Sequence, residues 1–287
     1  MDKTESEKKI FEKLTQKQKQ KASQIAEQFE SAIALVTRLR SPDGCPWDRE
    51  QTHSTLRPYL IEEAYEVLDV LDEYSENKSE KTTLKLKEEL GDLLLQVLLH
   101  SELSSERGEF DFGDVVLGLV EKLVTRHPHV FGDMKVSGSE QVLQNWEAIK
   151  SKEKKVEKTG LLAGLPKNLP SLQKAARIGE KAHRIGFDWP DWKGSMLKVE
   201  EELLELKAAI HSQDREQIEL ELGDLFFSLC NLSRHLKVQP EDAHRKAIAK
   251  FESRFQKLEA VFHDQNKDIH TASLEELDRV WDQIKKS

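Results

Sequence analysis

The strings Glu62-Glu63-x-x-Glu66 and Glu201-Glu202-x-x-Glu205 put carboxylates three residues apart. Each is followed downstream by a second acidic string, Glu89-Leu-Gly-Asp92 or Glu221-Leu-Gly-Asp224. Residues three or four apart share a helix face, so Glu63 with Glu66, Glu89 with Asp92, Glu202 with Glu205 and Glu221 with Asp224 project in pairs. Packed antiparallel, two such helices bring four carboxylates together. Like charges at this spacing cost roughly 0.2–0.5 kcal/mol per pair on a solvated face. Asp92 and Asp224 moreover stand in apolar runs, Leu90 to Leu99 and Leu222 to Phe227, so partial burial is expected. An ionised carboxylate that is buried needs a compensating charge. Oxygen donors without thiolate or imidazole suit Mg²⁺, with Mn²⁺ as the alternative, and Mg²⁺ usually shares itself with substrate phosphates. The chemistry these acids point to is therefore metal-assisted work on phosphates.

A di-iron bundle is the rival carboxylate architecture and needs Glu-x-x-His pairs facing a core. Glu180 with His183 and Glu241 with His244 have the spacing but lie among polar residues, and the first half has no equivalents. Glu241 directly follows Pro240, where an acid suits a first helical turn. Cys45 and Cys230 lack the paired spacing of a zinc or redox site.

Helices must position these acids. Of the 287 residues, 34% are charged and 7% aromatic, with 13 Gly and 8 Pro, a composition that favours long amphipathic helices and an all-α fold. Apolar residues recur at three and four residue steps from Ala22 to Leu39. Further helices are expected at 55–74, 83–107, 113–126 and 138–155. The pattern then repeats: the acidic strings recur in the same order, and Trp146-Glu-Ala-Ile-Lys150 is matched by Trp281-Asp-Gln-Ile-Lys285. The expected organisation is a charged lead-in at 1–22, a first helical domain at 23–155, a linker at 156–170 and a second domain at 171–287. The lead-in reads as a solvated or frayed helix.

A formal net charge of −9 argues against general binding to nucleic acid or anionic lipid. The N-terminal residues lack a signal-peptide pattern and no apolar run is long enough to cross a bilayer, so a soluble, cytoplasmic protein with no membrane partner is expected.

With these motifs in hand, the chain resembles the MazG family of nucleoside triphosphate pyrophosphohydrolases. The resemblance runs through Cys45-Pro-Trp-Asp-Arg-Glu-Gln-Thr-His53, the four acidic strings, Arg126-His-Pro-His-Val-Phe-Gly-Asp133, Gly186-Phe-Asp-Trp189 and Lys250-Phe-Glu-Ser-Arg254-Phe255. It implies two tandem helical bundles, usually paired in a homodimer, that bind Mg²⁺ through Glu63, Glu66, Glu89 and Asp92 and through Glu202, Glu205, Glu221 and Asp224. It also implies that Lys198, Lys250, Arg254, Trp281 and Lys285 contact the nucleotide. Lys122, Arg126, Trp146 and Lys150 occupy the matching positions in the first copy. The chain departs from the family pattern at Ile248, where asparagine is common, and has Gln217 where the first copy has Lys85.

The function so implied is hydrolysis of ribo- or deoxyribonucleoside triphosphates to monophosphate and pyrophosphate by water attack at the α-phosphorus. Glu201 or Glu202, and Glu62 or Glu63 in the first copy, are the candidate bases. The alternative is a non-enzymatic nucleotide sensor or protein-interaction bundle that keeps the same groups.

Overall fold

The computed structural model describes residues 4–153, 160 and 162–286. Among these the chain forms thirteen α-helices, a short 3₁₀ turn at Ile269–Thr271 and no strand, the all-α class expected. Its contacts divide it into two units, residues 1–155 and 156–287. Residues 156–159 and 161 of the expected linker lie outside the described residues.

The first unit contains α1 (Glu5–Lys13), α2 (Gln16–Arg40), α3 (Pro46–Glu50), α4 (His53–Glu76), α5 (Glu80–Ser105), α6 (Phe112–Arg126), α7 (Pro128–Phe131) and α8 (Ser139–Glu153). The described part of the lead-in is ordered into helix instead of fraying. Thr4 with Glu7 and Thr15 with Gln18 form reciprocal caps, in which each side chain accepts from the other residue's backbone N–H. The second cap starts α2 at Gln16, six residues ahead of the apolar periodicity, and α1 packs on α6 and α7. Capping also starts α4 and α5 ahead of the expected points, at Thr52 and Ser79.

Val36 from α2, Leu56 from α4 and Leu98, Leu99 and Leu103 from α5 make the buried core of this unit, with Phe112 of α6 against it. This core fastens α4 to α5, the two helices that carry the acids. They run antiparallel: His53 meets His100 near one end, and Glu73 meets Lys85 near the other.

The second unit contains α9 (Ser171–His183), α10 (Trp192–Ser212), α11 (Arg215–His235), α12 (Pro240–Asp264) and α13 (Leu274–Lys286). Its principal helix pair is α10 with α11, the counterpart of α4 with α5. Gly186, at φ +80°, turns the chain out of α9, a conformation that side chains with a Cβ rarely adopt. Trp189 then lies directly on the first turn of α10, so close that a Cβ on Gly194 would fall 2.2 Å from its ring. Ala176, Ala209, Cys230, Leu258 and Phe262 are buried here. No described helix of either unit is long and apolar enough to cross a membrane.

Candidate metal and nucleotide site

In the first unit the antiparallel pairing brings one carboxylate oxygen each of Glu63, Glu89 and Asp92 within 4.8 Å of one another. Glu66 stands beside Glu89 and adds its charge to the cluster. Burial, and then the charges of Glu66, Asp92, Glu89 and Glu62, push the Glu63 carboxyl above its ordinary range. Glu89 is raised in the same way, by burial first and then by Glu66 and Asp92. Four acids thus crowd one place on two helices, which is the electrostatic condition a divalent cation relieves. Glu62, on the neighbouring face, is exposed.

In the second unit the close trio is Glu202, Glu205 and Glu221, again within 4.8 Å, with the counterpart of Glu66 in place of that of Asp92. Asp224, one turn on from Glu221, is exposed and lies outside this close trio. Glu202 is 5% exposed, and its charge is answered by Lys198, whose Nζ lies 2.6 Å from Glu202 and 2.8 Å from Glu201. Hydrogen bonds to Glu201 and Glu202 raise the Lys198 pKa well above its ordinary value. Burial and the charges of Glu202 and Glu221 raise Glu205. Lys198 thus sits on the acids themselves.

The expected burial of Asp92 and Asp224 is not what the fold provides. Both are exposed: Asp92 lies on the open face of α5 beside Leu90 while Leu98 and Leu99 of the same run turn into the core, and around Asp224 Leu220, Leu222, Phe226 and Phe227 are themselves exposed. The buried acid is Glu202, on the inner face of α10 with Ser195 and Ala209.

The basic and aromatic candidates gather on the last two helices of the second unit. Lys250 and Arg254 lie on α12 and Trp281 and Lys285 on α13, which pack together. Phe251 locks the pair, its ring centroid 5.0 Å from that of Trp281, and Lys285 lies over the indole at 6.0 Å. Among the described residues no ion pair joins Lys250 or Arg254 to the carboxylate trio.

In the first unit Arg126 stacks over Trp146 at 5.4 Å and His127 meets the same indole edge-on at 4.8 Å. Trp146 and Lys150 lie on α8, while Lys122, at the same helical spacing as Lys250, is exposed on α6. Lys85 does not reach Glu89 but pairs with Glu73 at 2.7 Å.

Three features had no clear signal in the sequence. Asp188 accepts hydrogen bonds from Arg234, His235 and His183 and is 5% exposed at the side chain. Burial alone would raise its carboxyl, but those three partners bring it below the usual range. Arg40 forms a two-pronged pair with Glu106 at 2.6 and 2.9 Å and also reaches the Asp48 and Gln51 carbonyls, so it ties α3 to α5. His53 and His100 stack with Nδ1 atoms 2.7 Å apart. A lone acid within Gly186-Phe-Asp-Trp189 was the one available hint of the first.

Fold and site together define a duplicated helical bundle with a carboxylate cluster built between paired antiparallel helices in each copy. Residues 51–131 and 193–258 match the MazG nucleotide pyrophosphohydrolase domain, so both acidic helix pairs fall inside matched segments, while Trp146, Lys150, Trp281 and Lys285 lie beyond them. The chain belongs to the MazG nucleotide pyrophosphohydrolase family. It is 45% identical over 257 residues to the nucleoside triphosphate pyrophosphohydrolase/pyrophosphatase MazG of Thermotoga maritima, covering 90% of this chain and 95% of that protein. It is 38% identical over 263 residues to the nucleoside triphosphate pyrophosphohydrolase of Escherichia coli K12, covering 90% and 97%. Identity to the protein YabN of Bacillus subtilis is 41% over 261 residues, 91% of this chain but 52% of that longer relative.

Proposed function

We propose that the chain hydrolyses nucleoside triphosphates to monophosphate and pyrophosphate with a divalent cation, Mg²⁺ or in its place Mn²⁺, held by Glu202, Glu205 and Glu221 with Asp224 adjacent. Glu63, Glu66, Glu89 and Asp92 form the equivalent site. The observation that carries this reading is the convergence of three carboxylates in each copy with no sulfur or imidazole among them. The cation, when bound, supplies charge neutralisation at the phosphates and lowers the pKa of a bound water.

Glu201 or Glu202, and Glu62 or Glu63 in the first copy, accept the proton of the water that attacks the α-phosphorus in line. The new bond joins the water oxygen to that phosphorus, and the bond to the bridging oxygen breaks as pyrophosphate leaves. Lys250, Arg254 and Lys285 face the charge gathering on the pyrophosphate, and Trp281, braced by Phe251, offers its face to the base. Lys122, Arg126, Trp146 and Lys150 play these parts in the first copy.

The reading extends to a soluble, cytoplasmic homodimer. Exposed apolar residues along α10 and α11, among them Leu197, Leu204, Leu220, Phe226 and Phe227, support a second copy of the chain as their cover. Sedimentation at several concentrations tests that part.

Incubation of the purified chain with each common ribo- and deoxyribonucleoside triphosphate, with Mg²⁺ or with EDTA, tests the reaction. Monophosphate and pyrophosphate formed only with Mg²⁺ is the expected result. Binding of nucleotide without turnover of any of them overturns it in favour of a sensor.

A further inference from the structure

The two copies treat their carboxylates differently. In the second, Lys198 lies one turn ahead of Glu202 and places its ammonium on both Glu202 and Glu201. Glu202 is nearly inaccessible to water, so this ammonium is the charge that compensates it. The residue one turn ahead of Glu63 in the first copy is Tyr59, which brings no ammonium and packs edge-to-face with Trp47 at 5.8 Å. Glu63, Glu89 and Asp92 converge there without an ammonium at the matching position.

We propose that Lys198 keeps the second copy from taking a divalent cation alone and makes cation and triphosphate load together, whereas the first copy, with Tyr59 in its place, takes the cation alone. The inference rests on the reading above that each trio holds a divalent cation. A dication on Glu202 lies within a few ångström of the Lys198 ammonium, and like charges at that range repel strongly where water is largely excluded. Loading therefore requires Lys198 to swing away from Glu202. The displaced ammonium keeps the exposed Glu201 but loses the buried Glu202, so it needs a second counter-charge to hold it clear of the cation. A phosphate oxygen supplies one. Triphosphate and cation thus each remove the obstacle to the other, and a coupling of this kind is reciprocal.

Mn²⁺ binding to the full chain, followed by the electron paramagnetic resonance signal of the free ion, reads this without any turnover. In a Glu89→Gln, Asp92→Asn background that empties the first copy, Mn²⁺ is expected to bind the second copy weakly and to tighten when a non-hydrolysable triphosphate analogue is added. Lys198→Met should raise the affinity without nucleotide by roughly tenfold, the factor a partly buried charge-assisted pair supplies, and leave the analogue little to add. Lys198→Arg should restore the coupling. Conversely, with the second copy emptied by Glu205→Gln and Glu221→Gln, Tyr59→Lys should weaken binding to the first. If Lys198→Met leaves the nucleotide-free affinity unchanged or lower, the coupling is overturned and the cation sites stand. If neither copy binds Mn²⁺ with or without the analogue, both readings fall.

Discussion

Arg126 donates two hydrogen bonds to one oxygen of Glu153, at 3.0 and 2.6 Å, while its counterpart Arg254 makes no ion pair among the described residues. The Arg126 side chain is 13% exposed and stacked on Trp146, so the guanidinium of the first copy is already satisfied by an internal anion. A carboxylate here stands where the proposed function puts a phosphate. Glu153→Gln should therefore strengthen binding of a fluorescent triphosphate to the first copy, measured with the second emptied by Glu205→Gln. It should also cost about 1 kcal/mol of stability, the scale of a partly exposed ion pair. Affinity that stays level would separate Arg126 from the phosphates.

Asp188 fastens the loop between α9 and α10 to the end of α11 through Arg234, His235 and His183. Removing its charge leaves the largely buried Arg234 without a counter-ion, with the neutral Asn231 amide oxygen still accepting from it, so Asp188→Asn should lower the stability of the second unit by about 3 kcal/mol in a urea titration. The sign with pH follows from its lowered carboxyl. The stabilisation is fully present above the ordinary value of 3.8 and disappears as pH falls through the lower folded value. The variant should lose that acid-side dependence.

How much of this was legible in the sequence depends on the range over which each interaction is set. The acid pairs along one helix follow from spacing alone, and the duplicated order of Glu62-Glu63, Glu89, Glu201-Glu202 and Glu221 made their convergence across two helices readable. Lys198 could be named as a basic residue near the acids. That it rests on Glu202 depends on which face of α10 turns inward, and Ser195, Glu202 and Ala209 mark a buried stripe with two polar members that no hydrophobic pattern announces. Asp92 and Asp224 erred in the other direction: Asp92 shares a helix with core leucines but faces away from them, and the apolar neighbours of Asp224 form an exposed face. Glu153 and Arg126 are 27 residues apart, and nothing local to either one specifies the other.

His53 and His100 stack with ring centroids 5.0 Å apart and Nδ1 atoms at 2.7 Å, a separation that accommodates one proton but not two. His53 Nε2 lies 3.4 Å from the Ser104 hydroxyl, and burial followed by the His53 charge depresses the His100 pKa below its ordinary 6.5. A depressed folded pKa contributes stability that is present above 6.5 and is lost as pH falls through the folded value. Thermal melts of the chain should show the first unit weakening on the acid side of 6.5, and His100→Gln should flatten that slope. An unchanged slope in the variant would assign the dependence elsewhere.

The carboxylate trios provide the most direct division of labour between the copies. In the first copy Glu63 and Glu89 are raised by burial and then by their acid neighbours, so a cation that relieves this repulsion should also stabilise the folded chain by mass action. Mg²⁺ is accordingly expected to raise the melting temperature of the wild type. Glu63→Gln with Glu205→Gln should remove most of that increase. For turnover, Glu205→Gln in the second copy and Glu63→Gln in the first each delete one ligand while keeping nearly the same shape. If the second copy carries the reaction, Glu205→Gln should reduce kcat roughly 100-fold or more while Glu63→Gln leaves it largely intact, a loss on the scale of removing one preorganised electrostatic group. Hydrolysis that survives Glu205→Gln and disappears with Glu63→Gln would move catalysis to α4 and α5, where Tyr59 takes the position of Lys198 and Glu153 already occupies Arg126.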